Sequence, residues 1–163
     1  MIKRIIWTGI TILWMVVIFS FSAKPAVQST EMSTSVGKMI CRIFVHDFSS
    51  WSDEKQEELA AKIDHPVRKC AHASEYALLG ALVLLTACTY AKMSPKTVAA
   101  AVIISVLYAA SDEFHQRFVP GRSCQFTDVL IDSAGVMVGV GFICLSWYFL
   151  QKIRNKEKNN VYK

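Results

Sequence analysis

Four apolar runs divide this chain, and each approaches the length of a bilayer crossing. They cover residues 5–21, 70–91, 97 to about 118, and 126–150. A helix gains about 1.5 Å per residue, so roughly 20 residues cross a hydrocarbon layer about 30 Å thick. With 163 residues in all, four such helices leave little chain for a soluble core. The expected fold is therefore all-α: a membrane helical bundle of four transmembrane helices with a partly helical first extracytoplasmic loop. One membrane domain over residues 1–163 is expected, with that loop at about 22–68. Composition agrees, with 53% hydrophobic residues and a mean hydropathy of +0.32.

The basic residues set the orientation. Lys3 and Arg4 precede the first run, and Lys92 and Lys96 lie between the second and third. Lys152, Arg154, Lys156, Lys158 and Lys163 follow the fourth. Only Glu157 accompanies them, whereas the remaining segments hold the other acids. Lys and Arg in short segments stay on the cytoplasmic side, so both termini and the second loop are expected to be cytoplasmic. Residues 22–68 and 117–125 then face outward. The formal charge of +5 does not point to nucleic acid, because no soluble segment interleaves basic and aromatic residues. The expected setting is the bacterial cytoplasmic membrane, with multi-pass topology.

A cleaved signal peptide competes for the N-terminus, with Ser-Phe-Ser-Ala at 20–23 as its small-residue site. The apolar run of residues 5–21 exceeds a typical signal core of about 7–15 residues, which favours retention. The five cysteines show no CxxC or zinc spacing and are read as free thiols.

The first loop is patterned. Val36, Met39, Ile40, Ile43 and Phe44 recur at helical spacing, which predicts an amphipathic helix on the membrane surface or on the bundle top. Ser52 reads as an N-cap, with Asp53 and Glu54 in the first turn of a short helix ending near Ile63. Pro66 reads as the first position of the next helix and Pro95 as the start of the third span. Lys24, Lys55 and Lys62 are expected on a solvated loop. Pro120-Gly121 signals a turn, and Gly135-xxx-Gly139 permits a close helix approach.

The remaining charges gather at the expected outward ends. Arg68, His72, Glu75 and Tyr76 share one face of the second span, and Lys69 joins its edge. Asp112, His115 and Gln116 share a face of the third, with Glu113 to the side. Asp128 and Asp132 share a face of the fourth, and Arg122 lies in the turn before it. Polar stripes in membrane helices turn away from lipid, so these residues should form one composite site. Asp112 and Glu113 sit at a helix C-terminus, where negative charge is disfavoured, and need a nearby cation. Arg122 is the expected partner of Asp112. Nearby Arg and Lys would repel a metal ion and no HExxH signature is present, so neither metal nor cofactor is expected.

Arg68-Lys69-x-x-His72-x-x-Glu75-Tyr76, then Asp112-Glu113-x-His115-Gln116-x-x-x-Pro120-x-Arg122, then Asp128-x-x-x-Asp132-x-x-Gly135 resembles the VanZ-like family of bacterial membrane proteins. The resemblance covers residues of about 68–140 and, more loosely, the Phe-Ser end of the first run. Ala73 stands where an aromatic is common, and Ala23-Lys24-Pro25 replaces a more usual polar tripeptide. The resemblance implies a multi-pass helical protein, associated in the family's namesake with low-level teicoplanin resistance. It carries over no reaction and no catalytic roles.

Two functions remain in view. In the first, an outer-face site binds, or binds and modifies, a polar or anionic envelope group, with membrane lipid, a lipid-linked precursor or a glycopeptide as partner. In the second, the charges form a structural ion-pair network in a non-catalytic assembly protein. A proton relay or transporter fits poorly, because the inner halves of the runs lack ionisable groups. Whether the chain is an enzyme is left open by the sequence.

Overall fold

The computed structural model describes residues 1–161. Five α-helices carry the fold: α1 (Ile2–Ser22), α2 (Ala26–Phe44), α3 (Asp53–Tyr90), α4 (Pro95–Gln116) and α5 (Phe126–Val161). A short 3-10 turn, Phe48–Ser50, joins α2 to α3. Helices α1, α3, α4 and α5 are each long and apolar enough to cross a membrane. Their outward surfaces are apolar, with Leu13, Val16, Ile104, Leu107, Val138 and Phe142 all exposed. A polypeptide of this kind is a multi-pass membrane protein, because in hydrocarbon each helix satisfies its own backbone polar groups.

Helix α3 is central and packs on each of the other four helices. Its contact with α5 is the closest. A Cβ added to Gly135 would lie 2.2 Å from the Ala73 carbonyl oxygen, and one on Gly139 would lie 1.8 Å from that of Ala77. The two pairs have the same sequence offset, so α3 and α5 run side by side in one direction. The core grows from this seam: Tyr76, Leu79, Val83 and Leu84 of α3 meet Val136 and Val140 of α5, Ala101 and Ala109 of α4, and Ile18 of α1.

Polar ties fix α1 on α3. Thr11 shares a 2.7 Å hydrogen bond with Thr86, and the Trp14 indole donates to the Glu75 carbonyl at 3.0 Å. Tyr108 of α4 donates to the Met15 carbonyl at 2.7 Å. Inside a bilayer such bonds are useful because no water competes for them. The start of α4 follows expectation: Pro95 opens the helix and the Ser94 hydroxyl accepts the Thr97 N–H at 3.2 Å.

One local expectation is corrected. Pro66 does not begin a helix; it sits inside α3, which runs unbroken for 38 residues. Proline removes one backbone hydrogen bond, but neighbours hold the chain helical on both sides. Ser33 of α2 donates to Asp64, and Thr30 of α2 accepts from Arg68 at 2.9 Å. Helix α2 forms over the predicted amphipathic segment. It packs on α3 through a stripe of small residues, Ser33, Gly37 and Cys41. Of the predicted apolar stripe, Val36, Met39, Ile43 and Phe44 are exposed and Ile40 is half-buried.

Candidate functional site

The composite site lies at the end of the bundle where α1 and α4 finish, α5 begins and α2 packs. The chain between α4 and α5 is folded back by Gly121, whose φ of +74° suits a residue without a side chain. The Pro120 carbonyl accepts the Ala26 N–H at 3.1 Å, tying this turn to the start of α2.

Arg122 leaves the turn and points inward. Its guanidinium donates to the Lys24 carbonyl at 3.1 Å and to Gln116 Oε1 at 3.0 Å. The expected direct pair with Asp112 is absent among the described residues. Gln116 stands between them, accepting from Arg122 and donating through Nε2 to Asp112 Oδ2 at 3.3 Å. Ser22 supplies the stronger contact, a 2.6 Å hydroxyl bond to the same carboxylate oxygen. Burial and the neighbouring Arg68 pull Arg122 below its ordinary value, while Asp112, Glu113 and Glu75 oppose this. A guanidinium remains charged under any such influence.

The other acids are treated differently. Glu113 accepts the Gln125 backbone N–H at 2.9 Å, so it caps the approach to α5. Asp128 pairs with Lys69 across the α3–α5 seam. Asp132 is 1% exposed, and its Oδ1 lies 4.0 Å from His72 Nδ1. Five buried oxygen or nitrogen atoms of the predicted cluster lack a hydrogen-bond partner among the described residues: Arg68 Nε, Asp112 Oδ1, Asp132 Oδ1, Tyr76 Oη and His115 Nε2. Leaving such groups unpaired costs about 1–3 kcal/mol each, so a fold that keeps them has a use for them or holds them by force of packing.

The other predicted residues flank this centre. His115 stacks on Phe19, with ring centroids 4.5 Å apart, on the α1–α4 side. Tyr76 is fully buried, with its ring 6.4 Å from that of Tyr108. Arg68 turns toward α2, donating to Asp64 at 2.7 Å. His72, Glu75 and Arg122 do converge, and all three line a cavity of about 590 Å³ between α2 and α3.

That cavity is the feature the sequence did not announce. Met32, Val36 and Ile40 of α2 face Ile63, Val67 and Ala71 of α3 across it. Lys24 and Arg68 join Arg122 in its wall. Lys24, read from sequence as a solvated loop lysine, is half-buried and lines this cavity, whereas Lys55 and Lys62 are exposed on α3. Ser22 could have been found as a polar residue at a helix end beside the acids. Lys24 could not, because nothing local marks which way a loop lysine turns. Among the described residues, no group of three or more His, Cys, Asp or Glu is arranged to hold a metal ion.

Comparison with known proteins gives one result. The family model described as VanZ/LLP1 matches residues 7–148, nearly the whole apolar bundle with its polar end. No curated protein and no solved structure matches the chain.

Proposed function

The chain belongs to the VanZ/LLP1 family, and from that premise we propose that it is a cell-envelope protein whose outward polar site binds a polar or anionic envelope group. The proposed setting is the bacterial cytoplasmic membrane, with both termini and the α3–α4 turn in the cytoplasm. The observation that carries this reading is the cavity: three cations, Lys24, Arg68 and Arg122, line it together with His72 and Glu75. Arg suits phosphate and carboxylate because its planar fork donates two parallel hydrogen bonds. His72 and Glu75 are groups able to move protons, so the site can bind and has the means to modify. A glycopeptide-susceptibility phenotype, of the kind linked to the family's namesake, is the expected biological consequence.

The assembly reading has its own support. Ser22, Asp112, Gln116 and Arg122 form a chain of hydrogen bonds, and Lys69 pairs with Asp128, as a purely structural network would. Binding is favoured over it because an open cavity adjoins the network and buried carboxylate atoms are left without partners.

The test compares teicoplanin susceptibility in cells carrying the protein or its variants at matched membrane levels. Arg122→Gln and His72→Gln are expected to abolish the effect, and Lys55→Ala and Lys62→Ala to preserve it. Full activity of both site variants would overturn the proposal. Loss of effect only through loss of protein would favour the assembly reading.

A further inference from the structure

Helix α2 has three longitudinal sectors. Ser33, Gly37 and Cys41 pack on α3. Glu31, Ser35, Lys38 and Arg42 form a polar sector, and Lys38 pairs with Glu57 of α3 at 3.4 Å. Met32, Val36, Met39 and Ile43 form an exposed apolar sector, in which only the Met32 sulfur has a polar contact among the described residues, accepting from Lys24 Nζ at 3.2 Å. A monomeric water-facing helix does not keep such a stripe uncovered. The stripe is continuous with the cavity, because Met32 and Val36 belong to both.

The cavity is accordingly amphiphilic. Its α2–α3 walls are apolar, through Met32, Val36, Ile40, Ile63, Val67 and Ala71. At the bundle it meets Lys24, Arg68 and Arg122, against the single lining acid Glu75. Arg68 is partly neutralised by Asp64, while Lys24 Nζ lies 4.9 Å from the Phe21 ring and 3.2 Å from the Met32 sulfur, with no carboxylate partner among the described residues. A volume of about 590 Å³ falls in the ordinary range for a small-molecule site, roughly 300–1,000 Å³.

We propose that this cavity holds one anionic phospholipid, its acyl chain between α2 and α3 and its phosphate at Lys24, Arg68 and Arg122. The proposal rests on the binding reading given above and deepens it by naming the ligand class. It also accounts for the uncovered stripe of α2: the helix lies against lipid, and the cavity opens beside it to admit a chain. The binding step makes and breaks no covalent bond.

The chain carries its own reporter. Cys70 is exposed and lines the cavity; Cys124 is exposed in the α4–α5 turn and does not line it. Maleimide labelling rates of both would be measured on the purified full chain in a neutral maltoside detergent. The probes are phosphatidylglycerol, phosphatidylcholine and glycerol 3-phosphate. Protection scales as 1 + [L]/Kd, so phosphatidylglycerol at about ten times its Kd should slow Cys70 labelling about tenfold. Cys124 should react at an unchanged rate. Phosphatidylcholine should protect Cys70 less at the same concentration, and glycerol 3-phosphate should not protect it. The double variant Lys24→Gln, Arg68→Gln should lose the preference for phosphatidylglycerol, with native Cys124 labelling as the check on folding.

Equal slowing at both cysteines, or equal protection by the two lipids, would overturn the proposal. If phosphatidylglycerol leaves Cys70 unprotected while glycerol 3-phosphate binds by calorimetry, the acyl site falls and the polar site stands. If neither binds, both readings fall.

Discussion

Gly139 of α5 presses against the carbonyl of Ala77 on α3 so closely that a Cβ there would sit 1.8 Å from the carbonyl oxygen. The obstacle is backbone, which cannot rotate away as a side chain can. With Gly135 against Ala73, this seam sets the register that brings Lys69 to Asp128 and His72 near Asp132. The glycines therefore control the polar site from a distance of about one to three helical turns.

Gly139→Ala should force α3 and α5 apart. Ordinary overpacking costs about 1–3 kcal/mol, and a backbone obstruction should reach or exceed that. Thermal unfolding in detergent is the measurement, and a clear fall in Tm is expected. Gly141→Ala is the control, since nothing lies within 4 Å of its added Cβ. It should be neutral or slightly stabilising, and an equal fall in both variants would refute the seam.

The spans, the glycine seam and the gathering of polar residues at one end were legible because each depends on a periodicity or a spacing. Lys69 and His72 on α3, and Asp128 and Asp132 on α5, lie at helical intervals that any wheel displays. What was not legible depends on tertiary partners. Pro66 looks like a helix start because its missing N–H is free of cost there; in the fold the α2 contacts of Asp64 and Arg68, and the bond between those two side chains, flank it on both sides. The stripe of α2 was visible, but not that the small residues Ser33, Gly37 and Cys41 would win the contact with α3. Small side chains allow two backbones to approach, and periodicity of large apolar residues does not report that. The Asp112–Arg122 pair was half right: the cation is there, with an amide inserted between.

That insertion makes Gln116 the coupling residue. Asp112→Asn and Arg122→Gln should be non-additive in unfolding free energy, by an amount within the ~0.5–3 kcal/mol seen for residues in one network. In a Gln116→Ala background the coupling should largely vanish, because the hydrogen-bonded path is cut. A double-mutant cycle that stays unchanged without Gln116 would show that the two charges act on each other through space alone.

Lys69 and Asp128 are about four-fifths buried, at 19% and 22% side-chain exposure. Removing one partner of a buried pair strands the other charge, at a cost of roughly 3–5 kcal/mol when burial is complete. Lys69→Met and Asp128→Leu should each destabilise by a substantial part of that figure. The double variant should be more stable than either single one, since an apolar pair leaves no stranded charge. If the double variant is instead the least stable, the pair contributes net attraction beyond its desolvation cost.

Orientation is the last point open to direct test. The α2 end of the bundle carries Lys24, Arg68 and Arg122 but is balanced by acids, whereas the opposite end carries Lys3, Arg4, Lys92, Lys96 and the basic tail with almost none. Positive residues in short segments resist translocation, so the basic end should remain in the cytoplasm. In a cysteine-free background, Asp53→Cys should react with a membrane-impermeant maleimide on intact cells, because Asp53 is exposed at the start of α3. Lys156→Cys should react only after the membrane is opened. Reaction of Lys156→Cys from outside would invert the topology and place the cavity in the cytoplasmic leaflet. The site geometry would survive that result, but an extracellular glycopeptide or wall precursor could no longer reach it.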